Sequence, residues 1–204
     1  MRYKFLVDTY ETEIIKVLSV WSMFDDDDLR RRPRSDDRRG RNLVEHMVHQ
    51  SVSEDFWFKT MLGIQVTDKP LPAPETRLGF MQAYERNSRL RLASLSEKNE
   101  EWWEGETSFF DARRTRVWIM TRRLTHTAHH RGQQTTLLRM LKHDLHSTYG
   151  PTADTGGLMM QHAPTIYAYP NENVLLEEEE HARRKAPLPG PGSHPSTERP
   201  ETIE

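Results

Sequence analysis

The sequence predicts an all-α protein, an up-and-down four-helix bundle followed by a long, mostly irregular C-terminal extension. Apolar residues recur at helical spacing in four blocks within residues 1–144. No block shows the sustained alternation of apolar and polar residues that indicates strands. Eight of the twelve prolines lie after residue 145. These observations divide the chain of 204 residues into a folded domain over residues 1–144 and an extension over residues 145–204.

The composition excludes several classes of protein and of site. The chain has no cysteine, so a metal ion would have to be held by carboxylates or by some of the ten histidines. The 29 Lys and Arg residues and 31 Asp and Glu residues give a net charge of -2, which predicts no general attraction to nucleic acid or to anionic membranes. No apolar run approaches the roughly 18–20 residues that span a bilayer. The first residues lack the features of a signal peptide, so we expect a cytoplasmic protein.

The first two helical blocks flank a charged segment. The first block covers residues 3–23 and carries an apolar stripe. Residues 24–41 hold six Asp and seven Arg together with helix-breaking residues, which favours a solvated loop over a phosphate-binding site. Asn42 begins the second block as an N-cap, with Glu45 completing a capping box and Gly63 ending the helix.

The third block covers residues 76–95, and the fourth, which is the longest, covers residues 115–141. Between them, residues 101–114 predict a turn or a short extended segment. This segment carries two pairs of aromatic residues. Core packing is their default interpretation, and the wall of a substrate pocket is the alternative. The four residues are Trp102, Trp103, Phe109 and Phe110.

The extension changes character along its length. Its first part keeps apolar residues such as Met159, Tyr167 and Tyr169, so we expect it to pack onto the helices. The acidic run at residues 177–180 predicts a solvated patch that can be helical. Residues 188–204 have almost nothing to bury and are expected to be disordered. The histidines of the extension are scattered among turn residues, and none is expected to bind metal: His146, His162, His181 and His194.

The fourth block contains the most informative string, LTHTAHHRGQQ. Because a helix turns about 100° per residue, His126 and His130 lie about 40° apart on one face. Ile119 and Leu137 lie about 20° from His130, so this face points into the core. His129 is about 100° away and faces sideways or outward. Two imidazoles at positions i and i+4 can hold a divalent ion, and the alternative is a buried pair without a metal.

A third ligand has to come from another helix, because two imidazoles alone hold an ion weakly. The second block offers His46 and His49. Periodicity leaves both open, since each shares a face with apolar residues. Arg123 projects near the histidine face of the fourth block and, as a buried charge, requires a carboxylate partner or a route to the edge of the helix.

Four further side chains are candidates for supporting roles. Glu54 lies about 140° from His49, which favours a helix-surface role or support of a ligand over a direct role as general base. Glu45 lies about 40° from His49 and can accept a hydrogen bond from an imidazole, although its capping role competes. His129 is a candidate proton carrier or simply an exposed side chain. Gln133 can reach the rim of the site.

The motif HTAHHRGQ and the four apolar blocks resemble the DinB-like (YfiT-like) superfamily of four-helix-bundle metalloproteins over residues 3–142. In that family two metal ligands are spaced as His, three residues, His, followed by Arg-Gly-Gln. The first ligand lies on the second helix, and counting from Asn42, Glu54 and Gly63 places it at His49. The metal ligands implied by the resemblance are His49, His126 and His130, with His46 as the alternative first member.

The resemblance implies a divalent transition metal, and all-nitrogen ligation favours zinc or nickel and leaves other transition metals open. Three imidazoles leave a coordination position open for water or substrate, as in catalytic sites. Members of the family include S-transferases and an isomerase that use a low-molecular-weight thiol. We therefore expect a metal-dependent transferase or hydrolase that acts on a small molecule. The alternative is a non-enzymatic stress-related or interaction protein with a structural metal.

The resemblance also bears on partners. A homodimer suits a bundle of this kind, and neither nucleic acid nor membrane is expected to bind. The extension after residue 145 has no counterpart in typical members of the family. A histidine or acid from the extension at the metal would close the open position and remove the argument for catalysis.

Overall fold

The computed structural model describes residues 2–193 and residue 197. Three short 3₁₀ turns lie in the connections, at Asp26–Asp28, Ala153–Thr155 and Met159–Gln161. A π-helical turn, Phe58–Leu62, prolongs the second helix. The helices and strands are, in chain order, α1 (Lys4–Met23), α2 (Leu43–Trp57), α3 (Arg77–Ser96), α4 (Glu100–Glu104), β1 (Glu106–Phe109), β2 (Ala112–Thr115), α5 (Arg116–Met140) and α6 (Glu172–Glu180).

The helix ends follow the local chemistry of the sequence. The Asn42 side chain accepts a hydrogen bond from the backbone N–H of Glu45 at 2.9 Å, and the Glu45 carboxylate accepts one from the Asn42 N–H at 3.0 Å. Gly63 adopts φ +69°, a left-handed conformation that suits glycine and ends the helical segment. Thr115 caps α5 by accepting a hydrogen bond from the Trp118 N–H. The predicted starts of α2 and α5 and the end at Gly63 are therefore confirmed.

The four long helices pack around one apolar core. Helix α1 contacts α3 and α5, and α2 contacts the same two helices. The mostly helical class is confirmed, while the up-and-down order of a four-helix bundle stays a prediction. Within the described part of the chain, no helix combines the length and the apolar character needed to cross a membrane. The largest fully buried apolar side chains include Trp21, Phe24, Phe58, Phe80 and Trp103.

The segment before α5 forms a small hairpin. It was expected to be a turn or a short extended segment, and β1 pairs antiparallel with β2 so that Glu106 lies opposite Thr115. Trp103 is completely buried at the end of α4, as the core-packing interpretation requires. Phe110 lies at the turn with φ +53° and is 64% exposed, so it does not belong to the core.

The charged segment between α1 and α2 is only partly solvated. Most of its side chains are exposed, as predicted. Asp28, however, is buried, and its carboxylate lies 2.5 Å from Nε2 of His143 at the end of α5. Arg32 donates hydrogen bonds to both carboxylate oxygens of Glu45. These contacts hold the loop against the helices instead of leaving it free in solvent.

The described part of the extension packs back onto the helices. Helix α6 contacts α1 and α3, and Tyr169 and Leu175 are buried in the core. The expectation of burial is wrong for Met159 and Tyr167, which are 77% and 47% exposed. The predicted disorder concerns residues that lie largely outside the described ones, and His194 is among these. The domain boundary at residue 144 stays a prediction.

The acidic run of α6 is not a fully solvated patch, because Glu179 is buried. Its carboxylate lies 2.5 Å from a guanidinium nitrogen of Arg77 on α3, which is itself buried. It also accepts hydrogen bonds from the Tyr169 hydroxyl and from Arg183. Arg183 in turn donates to the backbone carbonyls at the end of α1. The expectation was wrong because α6 turns this one glutamate toward the core.

The ion pair between Arg77 and Glu179 gives a test of how firmly the extension is held. Replacing Glu179 with alanine leaves buried Arg77 with only the exposed carboxylate of Asp26, so we expect Glu179→Ala to lower the free energy of unfolding by about 3 kcal/mol. Glu180→Ala, at an exposed position of the same helix, is the control and should change it by less than about 0.5 kcal/mol. Urea unfolding measures both. Equal effects of the two changes would contradict a structural role for α6.

Candidate metal centre

Three of the predicted histidines lie together between α2 and α5. His49 comes from α2, and His126 and His130 lie one turn apart on α5. One ring nitrogen of each lies within 4.8 Å of the other two, and the Nε2 atoms of His126 and His130 are 3.1 Å apart. Nitrogen ligands about 2.0–2.1 Å from a tetrahedral ion are separated by about 3.3 Å. The three imidazoles are therefore close enough to hold a metal ion.

The structure brings His49 and not His46 to this cluster. The ring of His49 is centred 4.6 Å from the ring of His130 and 5.4 Å from that of His126. The ring of His46 is centred 5.8 Å from that of His130, and His46 is buried with no hydrogen-bond partner for its Nδ1 among the described residues. Helical periodicity left both His46 and His49 open, and the structure places only His49 in the cluster.

Gln133 orients His130. The side-chain oxygen of Gln133 lies 3.0 Å from Nδ1 of His130, on the side of the ring away from His126. An amide oxygen can only accept a hydrogen bond, so Nδ1 of His130 carries the proton and Nε2 keeps its lone pair for a ligand. The sequence analysis placed Gln133 only at the rim. Its spacing of three residues from His130 was the available signal, because such residues are neighbours on a helix.

Two side chains contact His126 from the other side of the site. The indole of Trp57 stacks on the His126 ring with centroids 5.7 Å apart and an angle of 23° between the planes. A guanidinium nitrogen of Arg123 lies 3.4 Å from Nδ1 of His126 and donates to Ser53 at 3.0 Å. Arg123 also lies over the Trp57 ring. The His126 ring is therefore held between an aromatic plane and a fixed charge.

The electrostatic surroundings keep the three imidazoles neutral. Burial, together with the charge of Arg123, lowers the pKa of His126 to about 3. Burial and the neighbouring His49 lower the pKa of His130 to about 4. Burial and the charge of Arg41 also lower the pKa of His49. Neutral imidazole is the form that binds metal ions, so the lowered pKa values favour metal binding at neutral pH.

Glu54 is buried at the centre of a hydrogen-bond network that reaches the site. Its carboxylate accepts hydrogen bonds from Tyr10 on α1 at 2.6 Å and from Tyr84 on α3 at 3.1 Å. It pairs with Arg123 at 3.2 Å and with Arg91 at 3.3 Å. Burial raises the pKa of Glu54, but the two arginines together with the hydrogen bonds from Tyr10 and Tyr84 more than offset it, and the net pKa is lowered. Glu54 is therefore an ionised structural carboxylate, and it reaches His126 only through Arg123.

The contacts of Glu54, Glu45 and His129 can be compared with the supporting roles expected for them. The helix-surface role for Glu54 is wrong because its side chain points to the core, and the carboxylate partner predicted for Arg123 is Glu54 itself. Glu45 caps α2 and pairs with Arg32, and it makes no hydrogen bond to an imidazole among the residues that the structure describes. His129 is exposed and contacts the Gln133 amide at 3.2 Å.

The cluster at the site has three members among the described residues, and no histidine or acid of the extension joins it. A second group, Asp25, Asp28 and His143, also has its polar atoms within 4.8 Å of one another. There the carboxylates are already engaged, since Asp25 pairs with Arg183 and Asp28 contacts His143 and caps the adjacent turn. We assign that second group to the packing of the loop.

Two spaces lie next to the site, and one of them is lined by a member of the cluster. A cavity of about 300 Å³ lies toward the start of α2, and its lining includes Arg41, His46 and Gln133. An open apolar groove of about 480 Å³ runs along α2 and is lined by His49 and Phe56 among others. A molecule in either space lies beside a residue of the cluster or one that contacts it. The surroundings combine a positive charge at one end with an apolar surface at the other.

The Glu54 network predicts a pH-dependent stability. At pH 7, Glu54→Gln should lower the free energy of unfolding by about 3 kcal/mol or more, because Arg91 and Arg123 lose a buried carboxylate. Since the folded pKa of Glu54 is lowered, this contribution is present above the unfolded value of about 4.3 and is lost as pH falls through the folded pKa. Urea unfolding at several pH values measures the difference between wild type and variant.

That difference should shrink as the pH is lowered from 7 toward 3, and a difference that stays constant would contradict an ionised Glu54. Glu75→Gln is the matched control, because Glu75 is exposed and makes no side-chain hydrogen bond among the described residues. Its effect should stay within about 0.5 kcal/mol at every pH.

Comparison with known proteins agrees with the fold. A DinB-like protein from Bacillus cereus ATCC 10987 has a TM-score of 0.58 and 20% identity, covering 69% of this chain and 92% of that chain. A DinB-like protein from Bacillus subtilis has a TM-score of 0.54 and 13% identity, covering 69% and 94%. At these identities the two structures support the fold alone. No curated protein matches the sequence. The model of the DinB family matches residues 12–156, well over half of the sequence, and the chain therefore belongs to the DinB family.

Proposed function

We propose that this protein is a metal-dependent enzyme of the transferase or hydrolase type, with His49, His126 and His130 as the ligands of one divalent transition metal. The observation that carries the proposal is the convergence of one nitrogen from each of these three imidazoles, on two helices, to within 4.8 Å of one another. In a catalytic zinc site the protein supplies three ligands and the fourth position is open to water or substrate, whereas in a structural zinc site the protein supplies all four.

The donor set fits such an ion. All three side chains are neutral imidazoles, and zinc and nickel, the ions we propose, are among those that imidazole ligands suit. The proton on Nδ1 of His130 is held by Gln133 at 3.0 Å, which leaves Nε2 as the ligating atom. When bound, the ion would supply Lewis acidity, which favours the deprotonated and nucleophilic form of a water molecule or a thiol.

Other residues of the chain position the ligand rings and line the space for a substrate. Trp57 and Arg123 keep the His126 ring in place, and Gln133 keeps the His130 ring in place. The apolar groove lined by Val48, Val52 and Phe56 offers a dry surface for the organic part of a substrate. A small-molecule substrate suits the sizes of the two spaces, and a low-molecular-weight thiol is the co-substrate we propose.

The alternative is a non-enzymatic protein with a structural ion. A fourth protein ligand would support it, and none lies in the cluster among residues 2–193. The open groove beside His49 also favours exchange of a small ligand over a closed site. The enzyme proposal is therefore the better supported of the two.

Metal loading tests the proposal directly. Untagged protein should bind one equivalent of Co²⁺, seen by elemental analysis and by visible absorption of the nitrogen-ligated ion. Single changes to alanine at His49, His126 or His130 should each weaken binding by more than the roughly 10–100-fold typical of changes to supporting residues. His129→Ala and His46→Ala are matched controls, because neither residue belongs to the cluster. Wild-type protein that takes up no transition metal would refute the proposal.

The hydrogen bond between Gln133 and His130 can be tested in the same assay. Gln133→Leu removes the acceptor and should lower the affinity for Co²⁺ by about 10–100-fold. Gln133→Glu keeps an acceptor at the same position and should retain the affinity. If Gln133→Leu binds Co²⁺ as tightly as wild type, the side-chain oxygen does not orient the ligand.

A further inference from the structure

The cavity next to the three histidines has an unusual lining. Its volume is about 300 Å³, at the small end of the range for ligand pockets. One wall belongs to α5, with Gln133 and Met140, and the opposite wall belongs to the loop before α2. Gln133 also contacts His130, so a ligand in this cavity lies beside the candidate metal centre. None of the roles described so far explains why this wall carries arginines.

The loop that forms this wall is fixed by its own contacts. Arg32 donates to the backbone carbonyl of Gly40 at 2.8 Å and to the two carboxylate oxygens of Glu45 at 2.7 Å and 2.5 Å. Gly40 packs so closely on Pro33 that an added Cβ would lie 3.2 Å from the proline ring. Arg41 follows Gly40 directly and precedes α2. These contacts hold the backbone next to Arg41, while the Arg41 side chain itself is exposed.

The two arginines of the cavity wall differ in whether an acidic side chain pairs with them. Arg39 pairs with Asp37 at 2.7 Å, so its charge is compensated. Arg41 makes no ion pair with any residue that the structure describes. Arg41 lines the cavity, and its charge is not neutralised by an acid among the residues that the structure describes.

His46 is a further polar residue in the lining of the cavity. This side chain is 4% exposed, it lines the cavity, and its Nδ1 has no hydrogen-bond partner among the described residues. A buried polar atom without a partner carries a desolvation cost. His46 lies outside the cluster of ligands, so this cost falls on a residue of the cavity lining and not on the metal centre.

We propose that this cavity binds the anionic group of the substrate, a carboxylate or a phosphate, with Arg41 as the residue that recognises it. Guanidinium groups bind carboxylate and phosphate with paired hydrogen bonds, and an oxyanion matches the uncompensated charge of the wall. The small volume limits the group to a compact one. The substrate class is then a small organic anion whose reactive group lies beside the three histidines, and this second part rests on the proposed function.

Anion binding is tested first on the metal-free protein, so that the result does not depend on a metal. Sodium acetate and inorganic phosphate are titrated separately, and NMR follows the Arg41 Nε–H signal and the His46 ring signals. We expect a saturable shift of both, and the anion that saturates at the lower concentration identifies the group as carboxylate or phosphate. Arg41→Gln should weaken the binding by about tenfold, and Arg41→Lys should weaken it less.

Arg38→Gln is the matched control, because Arg38 is an exposed arginine of the same loop that does not line the cavity. It should bind the anions as wild type does. Absence of saturable shifts with both anions would overturn the proposal, and so would equal binding by wild type and Arg41→Gln.

A second experiment uses the Co²⁺-loaded protein and two thiols of similar size. Mercaptoacetate carries a carboxylate and 2-mercaptoethanol does not. Wild type should prefer mercaptoacetate by about tenfold in the visible titration, and Arg41→Gln should lose this preference. A wild type without the preference would separate the anion site from the metal centre and overturn the substrate class. Failure to load Co²⁺ would refute the metal function, while the metal-free titration still decides the anion site.

Discussion

The buried carboxylate of Glu54 is the interaction on which the rest of the structure depends. It lies on α2 and accepts hydrogen bonds or ion pairs from α1, α3 and α5. A fully buried charge is tolerated only when its partners surround it, so these contacts fix how α2 is rotated relative to the other long helices. His49 lies five residues earlier on the same helix. The rotation that brings Glu54 into the core leaves His49 at the contact between α2 and α5.

The Glu54 network also helps to position the side chains of the candidate metal centre. Arg123 neutralises Glu54 and also contacts His126, so one guanidinium joins the core to the site. Trp57 and Gln133 complete the orientation of the rings of α5. Burial keeps the imidazoles neutral, and the half-buried position of His49 and His126 leaves them accessible. The site combines a rigid support on the inner side with an open groove beside His49, which is the combination that ligand exchange requires.

The extension supports a different part of the molecule. Helix α6 contacts α1 and α3, whereas the three histidines lie between α2 and α5. Its buried Glu179 pairs with Arg77 on α3, and this second buried ion pair fixes the extension as Glu54 fixes α2. The segment therefore stabilises the core without entering the site, and the groove beside His49 stays free of it among the described residues.

The sequence alone determined what depends on near neighbours along the chain. Helical periodicity and capping residues predicted the long helices, the start at Asn42 and the end at Gly63, and the i, i+4 spacing placed His126 and His130 on one inward face. Family resemblance, and not periodicity, favoured His49 over His46. Only the tertiary structure decided that Glu54 and Glu179 are buried and that Arg41 carries no ion pair among the described residues, because their surroundings come from helices and loops distant in sequence.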